Sequence, residues 1–466
     1  MNDKTRLFIE KNLNADIRQL ALQAHRESDI DLPLALRQIA GRQTARRKLP
    51  SWAALDGLLF PPHLNMEQCS SEQTARYKAD ICRRLLNNNE ENKLVDLTGG
   101  FGVDFAWMSE AFEKAVYVER DSDLFAISSQ NFKVLNKQVE THNTDGIDYL
   151  HQLEHATMIF LDPARRDDKG ARTYGMADCT PNVLEIKDEL LQKADLVMLK
   201  LSPMLDWRKT VNDLGESNVR EVHIVSVQNE CKELLIVLAS HNSCVPSEAS
   251  DQRSSAPITI FCINILSDGS CQQFLVPSPS SIHHPLSSLH PSCVPSVASE
   301  QSSSAPITIF CINILSDGSY QQFLVPSPSS IHHPLSSLHL SPFTCHHYLY
   351  EPNASIMKAG CFQELAQYYG IQPLAPNSHL FVSEQPIETF PGRQFQISAI
   401  SSMNKKELKT ALGHLSNANI TVRNFPLSVP ELRKKLKLSE GGNTYIFATT
   451  LANNQHILLV CNPIKG

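Results

Sequence analysis

The fold is decided by the stretch Leu94-Val95-Asp96-Leu97-Thr98-Gly99-Gly100-Phe101-Gly102-Val103-Asp104. A short apolar run leads into a turn that contains three glycines, and apolar residues then recur with helical spacing at Phe105, Ala106 and Met108. Glycines suit such a turn because they accept positive φ and let a ligand approach the backbone closely. The amide groups at the start of the helix can then meet a polar group of the ligand. The stretch therefore predicts a strand, a tight loop and a helix that form a cofactor-binding corner.

The spacing of the glycines distinguishes between kinds of cofactor. A dinucleotide site has the pattern G-x-G-x-x-G, whereas the pattern here is G-G-x-G, with an aspartate three residues before the first glycine. This spacing is similar to motif I of class I S-adenosylmethionine (SAM) methyltransferases, with Thr98 where many members have another glycine. A purely structural turn is the alternative. The resemblance implies that the cofactor is held by these residues: Asp96, Thr98, Gly99, Gly100 and Gly102.

Two acidic residues follow the glycine loop at distances that suit a doubly wound sheet. Glu119 ends the strand that begins at Ala115, about 20 residues after the glycines, where a carboxylate accepts hydrogen bonds from ribose hydroxyls. Asp145 comes after an amphipathic helix pattern, and it either faces the adenine amine or caps the helix that follows. Both positions are typical of a nucleoside-binding edge.

A third strand, Met158–Leu161, ends in the sequence Asp162-Pro163-Ala164-Arg165. Its carboxylate is predicted to lie at the carboxyl edge of the sheet, beside the cofactor crevice. This is the position of motif IV, and the sequence is similar to the signature of enzymes that methylate uracil C5. Those enzymes need a cysteine after the following strand, but Ser202 and Pro203 stand there. The aromatic residue of the amino-methylating variant is also missing, so the acceptor atom stays open.

Roles at this strand end are assigned as hypotheses. Asp162, with the carbonyl of Pro163, would orient or deprotonate the acceptor, while Arg165 or Arg166 would hold a phosphate. Lys200, at the end of the following strand, is a further candidate at the mouth of the site. The alternative for Lys200 is an ion pair with Asp206.

Length and composition limit the class of protein. The 466 residues suffice for two to four domains, and 42 basic against 49 acidic residues give a net charge of −7, so the chain is not a polycation overall. The polar N-terminus does not have the pattern of a signal peptide, and no apolar run is long enough to span a membrane. Twelve cysteines without a C-x-x-C pair indicate reduced thiols and no metal site. We expect a cytoplasmic protein.

The pattern along the chain predicts five regions. They are an N-terminal helical region at 1–85, a methyltransferase domain at 86–240, a duplicated, partly disordered segment at 241–344, a small ferredoxin-like region at 345–394, and a THUMP-like domain at 395–466. The duplicated segment is an internal repeat with a period of 49 residues, and each copy contains two strand patterns around an Asp-Gly turn. One hairpin is expected to belong to the fold, and the other to be surplus and poorly packed.

The C-terminal region contains a basic cluster. Eight basic residues lie between Asn404 and Lys437 against two acidic ones, Glu407 and Glu431; the basic residues are Lys405, Lys406, Lys409, Arg423, Arg433, Lys434, Lys435 and Lys437. The cluster is the best candidate for a nucleic-acid surface. A solvated helix face is the alternative.

Taken together, the sequence resembles a bacterial family of class I SAM-dependent methyltransferases with a ferredoxin-like insert and a C-terminal THUMP-like domain. The resemblance rests on six stretches: Leu59–Ala75, the glycine loop, LDPARRD from Leu161, KLSPMLD from Lys200, YEPNASIMKAG from Tyr350, and Val422–Gly442. It implies a Rossmann-like α/β sheet between an N-terminal helical region and a small C-terminal α+β domain. It also implies SAM as cofactor and structured RNA as partner, and the composition and cysteine pattern add the expectation of neither metal nor membrane. The alternatives are a non-catalytic RNA-binding protein and a methyltransferase of proteins or small molecules.

Overall fold

A computed structural model describes residues 1–23, 29–86, 91–165, 176–239, 258–266, 271–276, 308–314, 320–325, 347–375 and 377–464. The chain divides into two compact units. The first unit consists of Met1–Arg220 and Glu233–Gln252, and the second consists of Glu221–Lys232 and Arg253–Gly466.

Helices occur in both units. Those of the first unit are α1 (Asp3–Lys11), α2 (Ile17–Gln23), α3 (Leu32–Lys48), α4 (Pro50–Ala53), α5 (His63–Gln68), α6 (Glu72–Leu85), α7 (Val103–Met108), α8 (Ser122–Val134), α9 (Gly146–Gln152), α10 (Val183–Lys193) and α11 (Trp207–Leu214). Those of the second unit are α12 (Ala354–Ala359), α13 (Phe362–Tyr369), α14 (Lys405–Leu412) and α15 (Val429–Leu436).

Strands are numbered in the same way along the chain. They are β1 (Lys93–Asp96), β2 (Lys114–Val118), β3 (Glu140–His142), β4 (Ala156–Leu161), β5 (Ala164–Arg165), β6 (Cys179–Thr180), β7 (Ala194–Leu201), β8 (Val219–Val227), β9 (Glu230–Ala239), β10 (Thr259–Ile265), β11 (Cys271–Val276), β12 (Thr308–Ile314), β13 (Tyr320–Val325), β14 (Tyr348–Pro352), β15 (Gln372–Pro373), β16 (Phe381–Ser383), β17 (Gly392–Ser402), β18 (Asn419–Arg423), β19 (Tyr445–Thr450) and β20 (His456–Pro463).

The first unit contains the predicted α/β sheet. Its strands lie in the order β9-β7-β4-β1-β2-β3, and every pair is parallel except β7 with β9. The central strands are buried on both faces, which is why they consist of near-continuous apolar residues. Because β1, β2 and β4 are parallel, the residues that follow their carboxyl ends meet at one edge of the sheet. The predicted fold class is therefore observed.

Capping side chains explain where the helix before the sheet begins. The side chain of Ser71 accepts a hydrogen bond from the amide of Thr74 at 3.2 Å and so caps α6. The neighbouring hydroxyl of Ser70 donates to Asp104 at 2.7 Å instead. Helix α6, the last helix before β1 in the chain, therefore begins at Glu72.

The second unit contains the repeat copies as strands. Gln228 and Asn229, both with positive φ, form the tight turn between β8 and β9. Strand β8 pairs in parallel with β10, and β10, β11, β12 and β13 follow one another as antiparallel neighbours. Both hairpins of the duplication are thus present as strands, while their Ser/Pro-rich flanks lie outside the described residues.

A sheet with the order β15-β16-β14-β17-β20-β19-β18 forms the C-terminal part of the second unit. Alternate residues of β19 and β20 face two apolar clusters, one on each side, because side chains alternate along a strand. Two short helices lie between β14 and β15, because Gly360 adopts φ 70° and ends α12 before α13 begins at Phe362.

Candidate active site

The glycine loop connects β1 to α7, and its three glycines have different structural roles. Gly100 and Gly102 have φ of 57° and 75°, values that residues other than glycine rarely adopt. A Cβ on Gly99 would lie 2.1 Å from Cε2 of Tyr117, so that residue must be glycine for the loop to pack on β2. A Cβ on Gly100 would meet no atom closer than 3.7 Å. The loop is therefore packed on one side and open at Gly100, as a ligand cradle requires.

Glu119 lies at the end of β2 and holds this loop in place. Its Oε2 accepts a hydrogen bond from the amide of Gly100 at 2.8 Å, and its Oε1 accepts one from the amide of Asp121 at 2.7 Å. The residue is buried. A carboxylate offers about four acceptor positions, so two remain for hydroxyl donors. The residue predicted to hold a ribose is thus in contact with the cradle and retains capacity for a ligand.

Thr98 joins the ends of β1 and β4. Its amide donates to Asp96 Oδ1 at 2.9 Å, and its hydroxyl oxygen accepts from the amide of Asp162 at 2.6 Å. Burial raises the pKa of Asp96 well above its usual range. The hydrogen bond from the amide of Thr98 lowers this pKa, whereas the nearby carboxylates of Asp104, Asp162 and Glu119 raise it further. The predicted cofactor residues and the predicted catalytic aspartate are therefore brought together by one side chain.

Asp145 caps a helix, which is one of the two roles that the sequence left open for it. Its Oδ1 accepts from the amide of Ile147 at 2.8 Å, at the start of α9. The next residue is Gly146, where a Cβ would lie 2.1 Å from the carbonyl oxygen of Leu97. Close packing of α9 on the segment that follows β1 thus depends on this glycine, which the sequence analysis did not single out. Contact of Asp145 with adenine stays a prediction.

Behind the loop lies a chain of charged side chains. Lys200 Nζ is 2.6 Å from Asp162 Oδ2 and 3.3 Å from Asp104 Oδ2. Lys78 Nζ is 3.2 Å from Asp104 Oδ1 and also pairs with Glu233. Ser70 donates to Asp104 Oδ2 at 2.7 Å. We call the five charged residues Asp162, Lys200, Asp104, Lys78 and Glu233 the buried charge network.

The pKa values in the network follow from its pairing. Burial lowers the pKa of Lys200, but Asp162, Asp104 and Glu233 together raise it well above its ordinary value. Burial raises the pKa of Asp104, but Lys78, Lys200 and the hydroxyl of Ser70 bring it below its ordinary value. The two groups are consequently held in their charged forms, as a buried ion pair requires.

The remaining predicted catalytic residues follow β4. Pro163 is buried, and the backbone of Arg165 lies in the short strand β5, while Arg166 lies outside the described residues. Lys200 pairs with Asp162, whereas Asp206 caps α11 by accepting from the amide of Lys209 at 3.0 Å. Sequence reasoning missed Lys78, Asp104 and Glu233 as members of the site. For Lys78 a signal was present, since it lies on the buried stripe of α6 with Thr74, Ile81 and Leu85.

Within the described ranges no group of three His, Cys, Asp or Glu side chains could hold a metal ion. In the same part of the chain no helix is long and apolar enough to cross a membrane.

The basic cluster of the second unit separates into two kinds of residue. Arg423 donates to the buried Glu351 at 2.8 Å, and Arg433 donates to the carbonyl of Ala418 at 3.0 Å. The six lysines of the cluster are exposed on α14, on α15 and at the end of α15. Two of the eight basic residues therefore form hydrogen bonds within the protein, and the six exposed lysines are the part of the cluster that a partner could reach.

Comparison with known families gives two matches in the second unit. Residues 348–391 match a model described as a ferredoxin-like domain, and residues 392–463 match a model described as THUMP domain-like. The chain carries a ferredoxin-like domain followed by a THUMP-like domain. The six exposed lysines thus belong to the THUMP-like domain. No curated protein matches the chain.

Solved structures extend the similarity to the whole chain. A protein of Porphyromonas gingivalis W83, provisionally assigned as a methyltransferase, is 28% identical over 100% of both chains with a TM-score of 0.71. A SAM-dependent methyltransferase of Agrobacterium tumefaciens is 14% identical over 36% of this chain and 62% of its own, with a TM-score of 0.28. The first similarity and the two domain matches confirm the predicted family resemblance and the methyltransferase fold.

Proposed function

We propose that this protein is a class I SAM-dependent methyltransferase that acts on RNA. The observation that carries the proposal is the convergence of the open glycine loop, Glu119 and Asp162 at one edge of the parallel sheet. Glu119 accepts a hydrogen bond from the amide of Gly100 in the loop at 2.8 Å, and the hydroxyl of Thr98 accepts one from the amide of Asp162 at 2.6 Å. The structural similarity to the P. gingivalis protein, which is provisionally assigned as a methyltransferase, supports the same reaction class.

The residues present fit the proposed cofactor. The open side of Gly100 would admit the methionine portion, Glu119 would accept from the ribose hydroxyls, and Asp145 would face the adenine. When bound, SAM supplies an activated methyl group on a positively charged sulfur. The task left to the chain is to align the acceptor with that group and to control its proton, and we assign both roles to Asp162.

Binding of the cofactor gives the first prediction. Isothermal titration with SAM is expected to show binding to the wild-type protein and a dissociation constant at least about tenfold higher for Glu119→Ala, because hydrogen bonds to a carboxylate contribute about 1.5–3 kcal/mol. Gly100→Val is expected to weaken binding similarly, since its φ of 57° does not suit a branched side chain. Glu113→Ala, at an exposed position of the same unit, is the matched control. Unchanged affinity in both variants would remove the assignment of this pocket.

RNA as the acceptor gives the second prediction. The double charge reversal Lys434→Glu with Lys435→Glu is expected to lower RNA affinity at moderate salt, and to reduce the slope of log affinity against log salt by about 1 for each lysine. Lys133→Glu, an exposed lysine on α8 of the first unit, serves as control. Turnover and RNA affinity that survive the double reversal would favour a protein or small-molecule substrate. RNA binding without methyl transfer from labelled SAM would favour a non-catalytic RNA-binding protein.

A further inference from the structure

The buried charge network has one member that faces the acceptor side of the site. The side chain of Asp162 is 41% exposed, whereas the other four members are at most 11% exposed. Lys200 lies directly behind Asp162, with its ammonium 2.6 Å from the carboxylate. An acceptor that contacts Asp162 is therefore also close to a fixed positive charge.

The rest of the network holds this positive charge in place. Asp104 lies between the two lysines, 3.3 Å from Lys200 and 3.2 Å from Lys78, and Glu233 pairs with Lys78. Lys200 cannot turn away without losing its pairs with Asp162 and Asp104, and a buried ammonium without these partners is costly. Its high pKa means that it retains its proton at neutral pH, so it acts as a donor and not as a base.

A fixed cation beside the acceptor discriminates between kinds of methyl acceptor. An amine nitrogen that attacks a methyl group gains positive charge, which a neighbouring ammonium opposes. A hydroxyl oxygen gains negative charge when its proton is removed for the attack, and the same ammonium stabilises that alkoxide-like oxygen. The electrostatics around Asp162 and Lys200 thus favour an oxygen acceptor.

A pyrimidine carbon acceptor requires a thiolate, and the nearby thiol does not suit this role. Cys69 interacts electrostatically with Lys200, but burial raises the pKa of its thiol to about 11. At neutral pH the group is a protonated thiol, which is a poor nucleophile. The thiol donates a hydrogen bond to the carbonyl oxygen of Met66, which lies 3.3 Å from its Sγ. Carbon methylation through a covalent adduct is therefore disfavoured.

We infer that the acceptor is a ribose 2′-hydroxyl of RNA, with Asp162 as the base and Lys200 as the group that stabilises the oxygen as it becomes negative. The inference rests on the proposed function, because within an RNA chain the 2′-hydroxyl is the hydroxyl that each nucleotide offers. The acceptor oxygen forms a bond to the methyl carbon while the bond from that carbon to the sulfur breaks, the sulfur keeps the electron pair, and the hydroxyl proton passes to Asp162. Partial burial raises the pKa of Asp162, with Asp104 and Glu233 in support and Lys200 opposed, which suits a proton acceptor.

The position of the methyl group tests the inference directly. Total RNA from cells that lack the gene is incubated with the purified protein and isotopically labelled SAM, digested to nucleosides, and analysed by mass spectrometry. Label on the ribose fragment is the expected result. Label on a base would overturn the oxygen acceptor and leave the RNA methyltransferase function intact, whereas absence of label from all RNA would remove both.

Variants of Lys200 and Asp162 test the roles of the two residues. Lys200→Met and Asp162→Asn are each expected to lower kcat about 100-fold or more, while the dissociation constant for SAM by titration changes less than about threefold, since neither side chain is assigned to the cofactor. Lys200→Arg is expected to recover part of the rate because it restores the charge. Lys193→Met is the matched control, since Lys193 is also largely buried and pairs with Glu189 at 3.0 Å.

The same measurements separate catalysis from folding. A Lys200→Met protein that melts at a much lower temperature would direct the test to Asp162→Asn, which keeps the shape of the side chain and is expected to keep the fold. Retention of kcat within about threefold in a folded Asp162→Asn or Lys200→Met protein that binds SAM would overturn the assignment.

Discussion

Replacement of Lys78 by methionine is expected to lower the free energy of unfolding of the first unit by about 3–5 kcal/mol, the range observed when one partner of a buried ion pair is removed. The side chain of Lys78 is fully buried, with an exposed fraction of 0%, and it separates Asp104 from Glu233. Methionine has a similar length but no charge, so two buried carboxylates would lose their shared partner. The expected effect is large because water cannot replace the ammonium.

Denaturant unfolding followed by tryptophan fluorescence measures this change. All three tryptophans, Trp52, Trp107 and Trp207, lie in the first unit, so the signal reports on that unit. Lys114→Met is the matched control, because Lys114 pairs with Glu91 at 2.6 Å but is 63% exposed. Its removal is expected to leave the denaturant midpoint of unfolding essentially unchanged, because water solvates both charges of this exposed pair. A loss below about 1 kcal/mol for Lys78→Met would mean that its buried pairs do not stabilise the unit.

The strand ends of the site could be predicted from sequence because local pattern and topology determine them together. Glu119 and Asp162 each follow a short apolar strand, and parallel strands bring their carboxyl ends to one edge. Pairing across the site could not be predicted in this way. Lys78 and Glu233 are 155 residues apart, and nothing local to either residue specifies the partner.

The glycine loop shows a second limit of local reasoning. The pattern predicted that the glycines admit a ligand, and Gly100 is indeed open on that side. Gly102, however, faces the protein itself, since a Cβ there would lie 2.6 Å from Phe132. The need for glycine at Gly99 and Gly102 arises from aromatic residues of β2 and α8, which become neighbours only in the folded unit.

Charge counting had a similar limit in the THUMP-like domain. The sequence counts Arg423 with the exposed lysines, but its guanidinium is directed to Glu351, 72 residues earlier in the chain. Glu351 lies in β14 and is buried, and a buried carboxylate is rarely found in proteins without a partner of opposite charge. A buried acidic residue in an apolar strand is thus a sequence-level sign that basic residues elsewhere are structural.

Removal of this carboxylate is the second large effect that we expect. Glu351→Ala should lower the free energy of unfolding of the second unit by about 3 kcal/mol, at the lower end of the range for buried ion pairs. The carboxylate of Glu351 is 3% exposed and binds Arg393 through Nε at 2.7 Å and Arg423 at 2.8 Å. The two arginine side chains are 43% and 36% exposed, so water can reach them after the change and limits the loss.

Hydrogen exchange of peptides from β17 and β18 measures this loss, since the two arginines lie on those strands. Faster exchange is expected in both strands for Glu351→Ala and an intermediate rate for Glu351→Gln, which retains a hydrogen-bond acceptor without the charge. Glu384→Ala, at an exposed position of the same unit, is the matched control and should not change the rates. Equal exchange in Glu351→Ala and Glu384→Ala would mean that the pairing of three strands through one carboxylate contributes little. The basic cluster would then regain Arg423 as a possible contact for RNA.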